Sequence, residues 1–207
     1  MQPSYKHYLK IIKNTCTGHE GPVTIPSEEL ADLARLAKEH CTVPFVLSSF
    51  RGTPFYSSML QRTRSMMLNY YQIDQFTRHT VSLLEDNGID CILLKGISLA
   101  SCYPVPEYRK LGDLDLYISR KSDISKAQKL LESHGYIAEN ELSDHHLTYH
   151  YMFPKTGRKF LLELHYRVVG IYQYERANEI VDQVYSFENL APISQTINNF
   201  TYSVLPP

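Results

Sequence analysis

The segment Ile89 to Ser119 constrains the chain more than any other. An apolar run, Cys91-Ile92-Leu93-Leu94, stops at Lys95-Gly96, and Ile89 to Leu94 reads as a buried strand. A short helical segment follows, then a loop closed by Arg109. Next comes Gly112-Asp113-Leu114-Asp115-Leu116, whose alternation marks a strand with two different faces. Asp113 and Asp115 therefore point the same way, about 7 Å apart at the backbone. Two carboxylates about 4 Å apart repel by roughly 4 kcal/mol at an effective dielectric near 20. A divalent cation turns that repulsion into binding, and magnesium sites are built from such oxygens. Without the cation, neutralising Asp115 is expected to relieve the protein slightly. Asp-x-Asp alone also suits a solvated strand edge that must resist aggregation. Lys95-Gly96 upstream and Arg109 nearby weigh towards a site.

Around this segment the pattern is helical first and sheet-like later. Ser27 reads as the cap of a helix, with Glu28 and Glu29 in its first turn and Leu30, Leu33, Ala34 and Ala37 on one stripe. A long helical region runs from Thr53-Pro54 to Asp86, with a break conceivable near Asp74. Leu60, Met67, Tyr71, Phe76, Val81 and Leu84 supply its buried side; Arg62, Arg64 and Arg78 read as a solvated face. After the Asp113 strand, Ser122 opens a helix that Gly135 stops. Thr148 to Phe153 and Lys159 to Tyr166 flank Pro154-Lys155-Thr156-Gly157, a hairpin signal. Glu175 to Tyr185 reads as a helix. The expected class is α+β: a helical region over residues 1–87, packed on a small mixed sheet within 88–207.

Composition is that of an ordinary globular chain, 43% hydrophobic and 21% charged over 207 residues. A formal net charge of −1 excludes a global field that would recruit nucleic acid. Four scattered cysteines lack a zinc spacing, and no apolar leader opens the chain; both favour reduced thiols in a cytoplasmic protein. No apolar run reaches transmembrane length, so no membrane partner is expected.

Leu-Lys-Gly at 94–96, Tyr103-Pro104, Arg109-x-x-Gly112-Asp113-x-Asp115-Leu116 and Leu162-Glu163-Leu164-His165 together resemble the polymerase-beta-like nucleotidyltransferase superfamily. More closely, they resemble its bacterial branch of uncharacterised nucleotidyltransferases. The likeness spans about Phe55 to Val169, densest from Leu93 to Ile118, with a second block at Leu161 to Tyr166. It implies the superfamily's small mixed sheet and a metal-dependent enzyme. That enzyme would use Mg2+ or Mn2+ to move a nucleoside monophosphate from a nucleoside triphosphate such as ATP to an acceptor hydroxyl on a small molecule, a protein or an RNA end. Toxin-like nucleotidyltransferases are a subclass of this reading. The likeness also implies further helices past the C-terminal segment, so the chain reads as truncated or as a short member. The superfamily's Gly-Ser or Gly-Gly is replaced by Gly96-Ile97-Ser98, so the phosphate-contacting hydroxyl is either displaced to Ser98 or absent.

On this reading Asp113, Asp115 and Glu163 are the metal ligands and catalytic carboxylates, Glu163 being the third by resemblance. Lys95, Gly96, Ser98, Arg109 and Gly112 form the nucleotide side. Arg offers a planar fork to phosphate and Lys a point charge. Gly96 leaves room for phosphate, so a bulky residue there is expected to exclude the triphosphate and spare the fold. His165 shares a strand face with Glu163 and is expected to orient that carboxylate without itself binding the metal. His145, His146 and His150 could hold zinc; a polar histidine surface is the preferred reading. A degenerate module that senses nucleotide without turnover is the alternative function.

Overall fold

The computed structural model describes residues 3–18, 23–139, 143–154, 156–186 and 189–206. Helices α1 (Pro3–Thr17), α2 (Leu30–Glu39), α3 (Val43–Val46) and α4 (Tyr56–Glu85) come first. Strand β1 (Ile92–Leu93), the short helix α5 (Ile97–Ala100), β2 (Leu114–Tyr117), α6 (Lys121–Ser133) and β3 (Ile137–Ala138) follow. The chain continues through β4 (His146–Met152), β5 (Lys159–His165), α7 (Glu175–Val184), β6 (Ile193–Ile197) and β7 (Phe200–Val204). The fold is α+β. It divides into two compact units, Met1–Gln72 with Ala100–Leu111, and Ile73–Leu99 with Gly112–Pro207. No described helix is long and apolar enough to cross a membrane.

The first unit is built on helical stripes. In α2, Leu33, Ala34, Leu36 and Ala37 recur at helical spacing and are buried, joining Tyr8 and Ile11 of α1, Val43 and Val46 of α3, Phe50 and Met59. The Tyr8 hydroxyl is tied to Thr42 Oγ1 at 2.7 Å. Ser27 does not cap α2. Residues Ser27–Glu29 form a 3-10 turn, which sets the Ser27 hydroxyl against Glu28 Oε2 and not against a backbone amide. Tyr71 is exposed, with its hydroxyl donating to Glu107 Oε1 at 2.6 Å, and Tyr70 takes the buried position.

Helix α4 runs unbroken through Asp74. That carboxylate is buried and accepts from Arg78 one turn on, at 2.6 Å, so its charge is answered within the helix. Arg78 also donates to the carbonyl of Asn198, which makes it a structural residue and not a solvated one.

The second unit holds a seven-stranded mixed sheet in the order β3-β4-β5-β2-β1-β7-β6. Strand β1 lies antiparallel to β2, β2 parallel to β5, and β4 antiparallel to β5 as the expected hairpin. Thr156 and Gly157 close the hairpin turn on the Phe153 carbonyl, with Gly157 at φ 62°; Lys155 lies outside the described residues. The alternation of β5 buries Phe160, Leu162 and Leu164 on one face. Phe76 of α4 stacks on Phe160 at 4.9 Å between centroids, and Tyr136 on Tyr151 at 4.4 Å. Such pairs contribute about 0.5–1.5 kcal/mol beyond their buried area.

Two details depart from the sequence reading. The strand expected over 89–94 is trimmed to two residues because the chain leaves the sheet at Gly96. The C-terminal stretch, to which the sequence reading assigned no element, forms the hairpin β6–β7, whose loop Asn198-Asn199 takes φ 48° and 65°, and β7 pairs parallel with β1. Asparagine tolerates that left-handed backbone better than most residues.

Candidate active site

Strand register places the acidic residues. Along the parallel β2–β5 pair, Asp115 sits opposite Glu163 and Tyr117 opposite His165. The Leu94 amide donates to the Asp115 carbonyl at 3.2 Å, one step past the last β1–β2 pair. Lys95 therefore emerges beside Asp115. Its Nζ lies 3.1 Å from Asp115 Oδ1 and 3.8 Å from Asp113 Oδ2, between the two aspartates. His165 Nε2 lies 3.2 Å from Asp115 Oδ1 and 3.4 Å from Glu163 Oε2.

Burial is uneven across the group. The Asp115 side chain is fully buried, Glu163 and Asp113 are 21% and 36% exposed, and Lys95 is 48% exposed. Burial pushes the Asp115 carboxyl up, but hydrogen bonds from His165 and Lys95 and the ammonium charge outweigh it and hold Asp115 below the ordinary range. Glu163 goes the other way. Burial first, then its contact with Asp115 and the charges of Asp115 and Asp113, raise its carboxyl. Burial lowers the Lys95 ammonium, yet the bond to Asp115 raises it on balance, so it stays charged at neutral pH.

One atom is unanswered. Asp115 Oδ2 is buried and has no hydrogen-bond partner among the described residues. An unpaired buried carboxylate oxygen costs free energy. Three carboxylates face one ammonium here, which leaves an excess of negative charge. Asp115, Glu163 and His165 can each direct one donor atom to a common region, the atoms lying within 4.8 Å of one another. Two carboxylates and an imidazole suit Mn2+ well; Mg2+ would rely on the oxygens, with Asp113 alongside. The donor set fits a divalent cation. A cavity of about 430 Å3 opens over the group, lined by Lys95, Asp115, His145, Glu163, His165 and Gly170 among others. A wider opening of about 600 Å3, near Tyr117 and Tyr185, has its arginines already paired, Arg167 with Asp182 and Arg120 with Asp90.

The other expected site residues spread out. Gly96 turns the chain between β1 and α5 at φ 72°. A Cβ there would meet nothing closer than the Asp113 carbonyl at 3.9 Å, so backbone conformation, not space, requires glycine. Ser98 is buried, and its hydroxyl donates to the Lys95 carbonyl at 3.2 Å, which stabilises the same turn. Gly112 has open space around it. Arg109 belongs to the first unit, where its guanidinium lies 5.8 Å from the Tyr103 ring centroid.

The structure separates the three histidines that lie on one sequence segment. His150 pairs with Glu139, while His146 stands opposite His165 across β4–β5, with His145 beside it. The available signal was hairpin register: counting outwards from the 153–158 turn pairs 146 with 165.

No curated protein and no solved structure matches the chain. A family model described as uncharacterised nucleotidyltransferase matches residues 26–194, and so covers helices α2 to α7, the aspartate strand and the Glu163 strand together. By that match the chain belongs to this nucleotidyltransferase family.

Proposed function

We propose that the protein is a metal-dependent enzyme that transfers a nucleoside monophosphate from a nucleoside triphosphate, ATP being the first candidate, to an acceptor hydroxyl. The acceptor would belong to a small molecule, a protein or an RNA end. The observation that carries this reading is the buried Asp115 carboxylate, with one oxygen unpartnered among the described residues, opposite Glu163 and beside Lys95. Asp113, Asp115 and Glu163 would hold Mg2+ or Mn2+. A bound cation would neutralise triphosphate charge and polarise the reacting phosphate.

The chain's own groups then have separate tasks. His165 fixes Asp115 and Glu163 through its Nε2. Lys95, half-exposed, exchanges its carboxylate partners for phosphate oxygens. The turn at Gly96 keeps backbone near the phosphates free of a side chain, and Gly112 does the same at the start of the aspartate strand. Glu163, with its raised carboxyl, takes the proton of the acceptor hydroxyl. The acceptor oxygen bonds to the α-phosphorus as the bond to the bridging oxygen breaks, and pyrophosphate leaves. We place this chemistry in the cytoplasm.

Incubation with each labelled triphosphate, Mg2+ or Mn2+ and cell extract tests the reading. Pyrophosphate release with a labelled product is the expected result. A second reading has one observation in its favour: the Ser98 hydroxyl is spent on the Lys95 carbonyl. A nucleotide-sensing module would bind triphosphate and release no pyrophosphate from it.

A further inference from the structure

Beside the carboxylates stands a second donor group that nucleotidyl transfer does not require. His145, His146 and His165 each offer a ring nitrogen, and the three nitrogens lie within 4.8 Å of one another. The rings are close, with centroids 4.3 Å apart for His145–His146, 5.1 Å for His146–His165 and 5.5 Å for His145–His165. Three imidazoles gathered this tightly repel if protonated and have little to offer one another if neutral.

The Nδ1 atom of each ring has a partner. His145 Nδ1 lies 2.6 Å from Asp144 Oδ1 and 3.1 Å from Ser143 Oγ. His146 Nδ1 lies 3.2 Å from the same hydroxyl. His165 Nδ1 faces the Arg167 carbonyl at 3.4 Å. Asp144 is itself fixed by the Ile171 amide, which donates to its other oxygen at 2.8 Å. The loop can come so near because residue 170 is glycine; a Cβ there would sit 3.3 Å from Asp144 Oδ1 and 3.6 Å from His145 Nδ1. Metal-binding histidines show this arrangement: one nitrogen donates to a carboxylate, hydroxyl or carbonyl, which leaves the other with its lone pair facing inwards. The second nitrogen is Nε2 on all three rings, and that of His165 lies against Asp115 Oδ1 at 3.2 Å and Glu163 Oε2 at 3.4 Å.

We propose that His145, His146 and His165 form a binding site for a borderline transition-metal ion, of the Zn2+ or Co2+ type, through their Nε2 atoms. Imidazole prefers such ions over magnesium, which demands oxygen. Three histidines leave a coordination position for water or substrate. His165 belongs to both donor groups. When its Nε2 binds the ion, it can no longer hydrogen-bond Asp115, so loading the imidazoles releases the carboxylate that His165 now holds. The site stands on its own ligands and would exist even if the protein transferred no nucleotide.

The test uses full-length, untagged protein stripped of metal. Cobalt is titrated in the presence of millimolar Mg2+, and the visible absorption of bound cobalt is followed. X-ray absorption of the zinc-loaded protein counts the imidazoles. One equivalent of cobalt that Mg2+ does not displace, together with three imidazoles around zinc, is expected. His146→Ala should weaken cobalt at least tenfold, and Asp144→Ala by about tenfold, in the range of lost outer-shell partners. Thermal unfolding of each metal-free variant verifies the fold, and His146→Gln replaces the alanine variant if that one unfolds. Cobalt that Mg2+ displaces, fewer than three imidazoles, or undiminished affinity in a folded His146 variant would each overturn the proposal. Triphosphate turnover is not among the readouts, so failure here leaves the transferase reading to its own assay.

Discussion

Asp115→Asn separates a carboxylate waiting for metal from one already bonded. Spacing alone suggests that neutralising Asp115 relieves repulsion. The structure reverses that expectation for the metal-free protein. The charged Asp115 accepts from Lys95 at 3.1 Å and from His165 at 3.2 Å. Hydrogen bonds to charged groups contribute about 1.5–3 kcal/mol each. Both contacts go to Oδ1, so an asparagine with its carbonyl oxygen in that place keeps both, each weakened by about half because the acceptor is now neutral. Lys95 is 48% exposed and remains hydrated, so the roughly 3–5 kcal/mol cost of a stranded buried charge does not apply. Relief of repulsion with Glu163 and Asp113 offsets a further part. The net loss is about 1–2 kcal/mol, and at about 2–4 °C per kcal/mol for a chain of this size, Tm in EDTA falls by about 2–8 °C. Mn2+ at a hundred times its Kd should add about 2.7 kcal/mol to the wild type and nothing comparable to the variant. An unchanged or higher Tm for Asp115→Asn in EDTA would refute the reasoning, because repulsion among the carboxylates would then dominate.

Other perturbations follow from the same geometry. Glu163 has a raised folded-state carboxyl, so its ionisation opposes folding as pH climbs from the ordinary glutamate range, about 4.3, through its higher native value. Glu163→Gln should therefore raise Tm in EDTA at pH 8 and leave it unchanged near pH 3.5; thermal melts across pH show which. Lys95→Met removes the ammonium that a cation must displace, so calorimetry should find tighter Mn2+ binding, at least tenfold weaker triphosphate binding, and slightly lower stability in EDTA. Gly96→Val looked from sequence like a probe of phosphate access with the fold spared. At φ 72° a β-branched side chain is strained by about 1–2 kcal/mol, so urea unfolding should show a loss of that order before any ligand is added.

Much of the sheet was legible because its signals are local. The alternation through Asp113 and Asp115, the apolar run before Lys95 and the Pro154–Gly157 turn are features of adjacent residues, and β2, β1 and the β4–β5 hairpin follow from them. Helix α4 was legible in extent but not in face, since Tyr70 and Tyr71 are equally apolar and only the packing decides which is buried. The β6–β7 hairpin was missed although Asn198-Asn199 is a two-residue loop suited to positive φ. Its flanks, Ile193 to Ile197 and Phe200 to Val204, are largely polar on one side, and the pairing of β7 with β1 joins residues far apart in sequence. The closeness of His146 to His165 was hidden for the same reason: it depends on cross-strand register, which spacing along the chain does not express.

The parts of the site legible in sequence were those with a charge problem to solve, and the structure answers that problem in two ways at once. Lys95 supplies a positive charge from the end of the adjoining strand, and His165 supplies a hydrogen bond from the strand on the other side of Asp115. Both bonds go to Oδ1, and Oδ2 has no hydrogen-bond partner among the described residues. A carboxylate meant only for structure would be expected to use both oxygens, because leaving one buried and unpaired costs about 1–3 kcal/mol. Glu163 lies directly across from it with its carboxyl raised by burial and by Asp115, so holding the pair together opposes the ionisation of Glu163. The fold sustains that cost through β2 and β5, whose buried leucines alternate with the acidic residues and hold the register that brings the two carboxylates side by side. A one-residue slip of β5 would send Glu163 and His165 to the apolar face and Leu162 and Leu164 to the cavity, so the residues that bury the core are also the ones that fix where the negative charge collects.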